Sequence, residues 1–364
     1  MTDSPTLATS QTPAAALFGA IAADDFEQVV FCHDAASGLR SIIAVHDTTL
    51  GPALGGVRMW PYADEQEALV DCMRLARGMT FKAAAAGVNL GGAKSVIIGD
   101  PARDKTEALL RAHGRFIQSL GGRYIPGIDV GTEMADLETI GVEAERVSCV
   151  ARDPSPMTAL GAFEAIRACL RAQDGDDDLS SVRVCVQGAG HVGSALAELL
   201  AAEGAELLIA DVAEERARAL AERLDGTVVP PEQAVTAECD VFAPCAMGAV
   251  INDATLPELR CRIVAGSANN VLERPDHGEA LHERGILYAP DFCANAGGLI
   301  LLEEEMLGHD DERTERRVRR VGELVRAAIE RARRDEISTA RAGEALAHER
   351  LASLGRVGPG WVRR

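Results

Sequence analysis

Apolar and polar residues change their period several times along the chain, and each change marks an element. In EQVVFCHDAASGLRSIIAVHDTT (27–49) two β-rich runs flank an Asp/Ser/Gly turn, which predicts a hairpin of two strands. From Asp64 to Gly78 the spacing becomes helical, with Ala68, Leu69, Cys72, Leu75 and Ala76 on one face. SVIIGDP (95–101) reads as a short buried strand closed by Gly-Asp-Pro, and KTEALLRAHGRFIQSL (105–120) as a second helix leading to the turn GGR and to YIPGIDVGTEMADL. Residues 1 to about 14 are rich in Thr, Ser, Ala and Pro and are expected to be disordered.

Near ARDPSPMTALGAFEAIRACL two prolines lead into a helix of about 16 residues, and the domain junction is placed there. Beyond it the rhythm is the most regular in the chain: strand SVRVCVQ, a glycine loop, helix SALAELLAAEG, strand AELLIAD, then strands DVFAPCA, RIVAGSANN and GILYAPDF with helices between them. This alternation predicts an α/β fold, with a Rossmann-type doubly wound sheet in the second half.

Composition narrows the setting. A chain of 364 residues, 47% of them hydrophobic, exceeds what one core usually supports and is expected to form two domains. No apolar run approaches a membrane span and the start has no basic n-region, so no membrane partner and a cytoplasmic location are expected. The nine cysteines are scattered without a CxxC pair and read as reduced, mostly buried thiols, with no metal expected. A net charge of −19 argues against a nucleic-acid partner. Together with the scarcity of lysine it fits either salt adaptation or a codon bias toward arginine. The acidic run at 173–178 and the mixed Glu/Arg stretch at 302–335 read as solvated surface.

Of the 37 basic residues only three are lysine: Lys82, Lys94 and Lys105. Arginine cannot release its proton at a useful pH whereas a buried lysine can, so a lysine retained in such a chain points to a task arginine cannot do. Lys105, in the polar stretch PARDKTEAL, reads as ordinary surface. Lys94, after Gly91-Gly92 at the entrance of an apolar strand, reads as functional; the expected Gly-Gly bend leaves open whether Lys82 meets it.

The loop Gly188-Ala189-Gly190-His191-Val192-Gly193-Ser194 has the spacing GxGxxG, follows a strand, opens a helix, and is followed 18 residues after its last glycine by Asp211. Gly188 would permit the tight turn, Gly190 the approach of a pyrophosphate to the helix N-terminus, and Gly193 close packing of helix on strand. Asp211 would accept from the adenosine ribose and repel a 2′-phosphate, favouring NAD over NADP; the alternative is that it only caps its turn. Ala246, Asn269, Asn270 and Asn295 follow the ends of later strands, where an open sheet receives ligands.

Six runs carry a resemblance: GPALGGVRMWPY (51–62), RLARGMTFKAAAAGVNLGGAKSVIIGDP (74–101), GRYIPGIDVGTEMADL (122–137), PSPMTALG (154–161), AGSANN (265–270) and LYAPDFCANAGGLI (287–300). In sequence and order they closely resemble the leucine, valine and phenylalanine dehydrogenases of the superfamily that includes glutamate dehydrogenase. The resemblance implies a substrate-binding domain over 1–153, an NAD-binding Rossmann domain over 154–335 with the cleft between them, and a helical segment over 336–364 packing back on the first domain. It implies that Lys94 is the catalytic lysine, Asp129 the active-site aspartate, and Lys82 the anchor of the substrate carboxylate. Gly55 and Gly56 would contact substrate through backbone, Leu54 and Met79 would line the side-chain pocket, Asn295 would help to hold substrate, and Thr158 would lie near the nicotinamide. The chain departs from the pattern in a shorter VSCVARD junction, in Gly-Gly-Ala rather than Gly-Gly-Gly before Lys94, and in an Arg-rich tail after Leu307.

The implied activity is reversible, NAD-dependent oxidation of an apolar L-amino acid (leucine, valine or isoleucine type) to a 2-oxo acid and ammonia by a homo-oligomer. An aromatic amino acid, phenylalanine or tryptophan, is the main rival substrate. An inactive NAD-binding sensor is disfavoured by the joint retention of Lys82, Lys94 and Asp129, and a hydroxy-acid dehydrogenase by the lack of a recognisable His/Arg site.

Overall fold

The strands of the computed structural model, which describes residues 13–148, 152–246 and 248–355, gather into two open sheets. After α1 (Pro13–Ala23) the first sheet takes β1 (Gln28–Asp34), β2 (Leu39–Asp47), β3 (Ala53–Trp60), β4 (Gly91–Ile98) and β5 (Tyr124–Ile128), in the order β1-β2-β4-β3-β5. The expected hairpin is β1 and β2, paired antiparallel from Gln28↔Val45 to Asp34↔Leu39. β2 and β4 are also antiparallel, whereas β3 lies parallel between β4 and β5. Helix α2 (Glu65–Ala85) covers one face, packing Ala68, Leu69, Cys72 and Ala76 on Ile42, Ala44 and Val96. α3 (Glu107–Ser119) and α4 (Met134–Gly141) cover the other with Leu109, Leu110, Leu137 and Ile140, each such buried side chain contributing roughly 1.5–3 kcal/mol.

α2 begins where Asp64 accepts from the Glu67 N–H at 2.8 Å, with Glu65 and Glu67 in its first turn and Lys82 in its last, as the helix dipole favours. It runs seven residues past the expected end at Gly78. Glycine at 78 is not a breaker here: a side chain there would face Asn270 of the second half. Gly91-Gly92 is likewise strand rather than bend. A Cβ on Gly92 would overlap Thr80 of α2, so the glycine lets helix and strand close together, with Lys82 at the helix end and Lys94 on the strand.

From α5 (Ser155–Asp174) the chain enters the second sheet: β6 (Arg183–Gln187), α6 (His191–Ala202), β7 (Glu206–Ala210), α7 (Glu214–Leu224), β8 (Thr227–Val228), β9 (Val241–Pro244), β10 (Ile263–Val264), α8 (Asp276–Glu283) and β11 (Leu287–Tyr288). All six strands are parallel, in the order β11-β10-β9-β6-β7-β8. The order reverses between β6 and β9, which opens a crevice at their carboxyl ends, as in a Rossmann-type sheet. One expected helix is missing: among the described residues β9 and β10 are joined by a loop with a 3₁₀ turn, Leu256–Glu258, and Ile251 of that loop bridges to Leu272 beyond β10.

The chain then forms α9 (Asp291–Ala294), α10 (Gly297–Met306), α11 (Asp311–Arg319), α12 (Val321–Asp335) and α13 (Thr339–Gly355). Part of the charged stretch from 302 is core rather than surface, because Glu303 and Glu304 are buried and paired with Arg313 and Arg317. α13 returns to α2, where Ala347 packs with Phe81 and Ala84 and Arg350 donates to the carbonyls of Ala83 and Ala84 at 3.1 and 3.0 Å. The eight described cysteines are free, and among the described residues no helix is long and apolar enough to cross a membrane. The expected disorder falls largely on residues 1–12, and the VSCVARD junction partly on 149–151, all outside the described residues.

Candidate active site

The first sheet presents three residues at one point. Leu54, Gly56 and Arg58 alternate onto the face of β3 that looks toward α2, as Gly92 and Lys94 do on β4. Lys94, 6% exposed, pairs its ammonium with Oδ2 of Asp129, which follows β5. Both sit over Gly56: a Cβ there would come within 2.7 Å of the Asp129 Cβ and 3.0 Å of the Lys94 Nζ. The Asp129 N–H donates to Thr132 Oγ1 at 3.0 Å, and that hydroxyl donates to the Val57 carbonyl at 2.7 Å, which fixes the loop after β5. Burial pushes the Asp129 carboxyl up, but Lys94 and Arg58 outweigh it and hold the group below its usual range.

Gly55 and Gly56 fall between the paired residues Leu54↔Gly92 and Val57↔Ser95, so the β3–β4 pairing is interrupted there while its register is kept. The buried Tyr124 hydroxyl donates there, 3.0 Å from the Gly55 carbonyl and 3.3 Å from that of Gly56. Leu54 is buried and Met79 half-buried within one apolar cluster.

Lys82 reaches from the last turn of α2 toward the second sheet, its Nζ 3.4 Å from Oδ1 of Asn269. The same oxygen accepts from Nδ2 of buried Asn295 at 3.0 Å, and that Nδ2 also donates to the Ala268 carbonyl at 3.1 Å. The Oδ1 of Asn295 is buried without a hydrogen-bond partner among the described residues, an acceptor free to receive a donor. Burial lowers the Lys82 ammonium to about 8; Asp291 opposes the shift and the charge of Lys94 adds to it. Asp291 is half-buried and its carboxyl is pushed up by desolvation, accepting from the Val271 and Phe292 N–H groups at 2.7 and 2.6 Å.

In the second sheet, Gly188 has φ +108° and Ala246 packs against it, 3.0 Å from where a Cβ would stand. A Cβ at Gly193 would overlap the Gly188 carbonyl, so helix α6 sits directly on the loop. At Gly190 nothing lies within 4 Å, which leaves open space at the N-terminus of α6. Asp211 accepts from the Ala189 N–H through Oδ2 and from the Ala213 N–H through Oδ1, both at 2.7 Å. It therefore ties the glycine loop to the end of β7, beyond capping its own turn. Val212 beside it is 92% exposed. Ser194 donates to the Ala189 carbonyl at 3.2 Å and His191 is exposed. Thr158 donates to the Pro154 carbonyl at 3.0 Å, and a Cβ at Gly298 would lie 2.6 Å from its hydroxyl.

Lys94, Asp129 and Gly56 thus meet, and Lys82 joins Asn269 and Asn295 across the cleft, while Asn270 takes a left-handed φ of +51° there. Lys105 is not ordinary surface: it is half-buried on Asp136 at 2.6 Å and 3.4 Å from the Gly131 carbonyl, bracing the loop after Asp129. Arg58 and Asp291 were missed by sequence reasoning. Arg58 carried no signal among 34 arginines, although its position two residues after Gly56 puts it on the same strand face.

Comparison with known proteins adds an independent line. Residues 26–146 match the family described as "Glu/Leu/Phe/Val dehydrogenase, dimerisation domain". Residues 208–356 match "Glutamate/Leucine/Phenylalanine/Valine dehydrogenase". A leucine dehydrogenase of Bacillus cereus is 48% identical over 336 residues, covering 91% of this chain and 92% of that enzyme. A valine dehydrogenase of Streptomyces albus is 43% identical, covering 90% and 92%. The crystal structure of an L-tryptophan dehydrogenase from Nostoc punctiforme superposes with a TM-score of 0.82 at 40% identity, covering 93% of this chain and 99% of that one.

Proposed function

The chain belongs to the Glu/Leu/Phe/Val dehydrogenase family, and from that premise we propose that it converts an apolar L-amino acid of the leucine, valine or isoleucine type reversibly to the 2-oxo acid and ammonia, with NAD as hydride acceptor. It is an oxidoreductase acting on CH–NH₂ donors. The observation that carries the reading is the buried Lys94–Asp129 pair over Gly56, with Lys82 facing it from α2.

The second sheet fits a dinucleotide: open space at Gly190, a left-handed turn at Gly188, and the Asp211 carboxylate held at the end of β7 with apolar Val212 beside it. NAD would supply the hydride acceptor. The glycine loop (Gly188 to Ser194) would take the pyrophosphate, Asp211 the ribose, and Thr158, Ala246, Asn269 and Asn270 the nicotinamide side. The repulsion of a 2′-phosphate by Asp211 favours NAD over NADP.

In the first domain Lys82 would anchor the substrate carboxylate, and the unpartnered Asn295 Oδ1 would accept from the substrate ammonium. Asp129 would exchange the proton of that amine, since hydride leaves the α-carbon only when the nitrogen lone pair is free to form the iminium. Lys94 would then act as general base for the attacking water and polarise the forming carbonyl oxygen. Leu54 and Met79 offer no charge to a second carboxylate, which favours an apolar side chain over glutamate. A homo-oligomer in the cytoplasm completes the reading.

NADH formation measured across L-leucine, L-valine, L-isoleucine, L-phenylalanine, L-tryptophan and L-glutamate, with 2-hydroxy acids as controls, tests it. Turnover fastest on the branched-chain acids is expected. Preference for the aromatic acids would replace the substrate class. Silence despite NAD binding would make the protein a sensor.

A further inference from the structure

We propose that Arg58 is a positioning residue of the reaction: it holds Oδ2 of Asp129 toward Lys94, leaves Oδ1 to exchange the proton with the substrate amine, and is itself held by Asp71. The inference rests on the functional reading above. Arg58 Nε donates to Asp129 Oδ2 at 3.2 Å, the oxygen that also receives Lys94, while Nη1 donates to Asp71 Oδ2 at 2.8 Å. Asp71 is fixed in turn, accepting from the Tyr62 hydroxyl at 2.7 Å and from Arg74 at 3.2 Å. The guanidinium and both carboxylates are 13–21% exposed, so water competes little for these bonds.

The asymmetry is the point. Two cations sit on Oδ2 and keep the carboxylate ionised; the Val130 N–H also bonds the carboxylate, and among the described residues no cation or side-chain donor grips Oδ1. A carboxylate gripped at both oxygens would be a poor proton acceptor, and one gripped at neither could rotate away. Arginine suits the task because it cannot lose its own proton to the carboxylate. A bond serving only the fold would be met by Asp71 alone; the second arm, onto Asp129, adds orientation of the reacting group. Among the described residues Asp129 faces Lys94 from β4, Arg58 from β3 and Lys82 from α2, and of these three Arg58 is the cation without an assigned task.

The test compares Arg58→Ala and Arg58→Lys with wild type, and with Arg74→Ala, which touches Asp71 but not Asp129. Arg58→Ala should lose about 10²-fold in kcat when assayed well below its own melting temperature, which falls because Asp71 and Asp129 lose their shared cation, with KM for the amino acid and for NAD nearly unchanged. Added guanidinium should restore part of the rate, entering through the 700 Å³ cavity that Arg58 and Asp71 line with Trp60, Tyr62 and Val130. Arg58→Lys, which keeps the charge but cannot span both carboxylates, should lose about tenfold, and Arg74→Ala little. Should Arg58→Ala fail to fold, Arg58→Lys decides. A wild-type kcat in the Arg58 variants, or a loss confined to KM, would overturn the inference alone. Wild-type silence on L-amino acids would overturn the functional reading and this inference with it.

Discussion

The Nζ of Lys82, on the helix that covers the first sheet, lies 3.4 Å from the side-chain oxygen of Asn269, at the end of a strand of the second. That contact crosses the cleft, and a substrate carboxylate arriving at Lys82 must share or replace it.

Lys82 gives up its proton near pH 8 in the fold and near 10.5 in the unfolded chain. Unfolded chains therefore bind more protons inside that window, and stability rises with pH from about 8 to 10.5, with no contribution below it. Ligand binding has the opposite sign. An unreactive carboxylate such as 4-methylpentanoate should inhibit with constant affinity below pH 8 and weaken about tenfold per unit above it, with proton uptake seen as a buffer-dependent enthalpy in calorimetry.

Lys94→Ala should lower kcat by about 10³-fold or more, because it removes both the base and the partner of Asp129. NADH should still bind, as followed by fluorescence, since Lys94 lies in the other sheet. Normal turnover in this variant would remove the mechanism.

Three alanine substitutions should separate by what each new methyl group meets. At Gly56 it would push Asp129 off Lys94, so activity should fall at least about 10²-fold. At Gly193 it would strike the Gly188 carbonyl and cost about 1–3 kcal/mol, read as a lowered Tm. At Gly190 it would meet nothing within 4 Å, so Tm should hold while the dissociation constant for NADH rises. Equal loss of Tm at Gly190 and Gly193 would contradict the space seen at Gly190.

Asp211→Ser should weaken NADH binding about tenfold and narrow its advantage over NADPH, measured by parallel titrations. The loop should also loosen, because Asp211 receives the Ala189 N–H at 2.7 Å. An unchanged NADPH/NADH ratio would leave Asp211 only that structural task.

Much of the second sheet was legible because its signals are local. The strand, the glycine loop, the helix and Asp211 follow one another within about thirty residues, and Gly193 meets the Gly188 carbonyl inside that stretch. Rarity flagged Lys82 and Lys94, but the polar stretch around Lys105 made it read as surface, because its partner Asp136 stands 31 residues away. α2 was cut short at Gly78 because a glycine normally weakens a helix; what overrides it is packing against the other half of the molecule. Arg58 and Asp129 are 71 residues apart, and no periodicity joins them. Glu303 and Glu304 were read as surface because charge alone does not reveal that Arg313 and Arg317 fold back upon them.

The return of α13 to α2 has a mechanical meaning. The first sheet ends before α5 and the chain returns to it after α12, so the two halves are joined twice in sequence, and Arg350 anchors the second connection beside the turn that carries Lys82. A body held at one point can twist freely, whereas one held at two swings chiefly about the line between them. Any motion between the halves would thereby be reduced toward a single degree of freedom, returning Lys82 and Asn269 to the same registration.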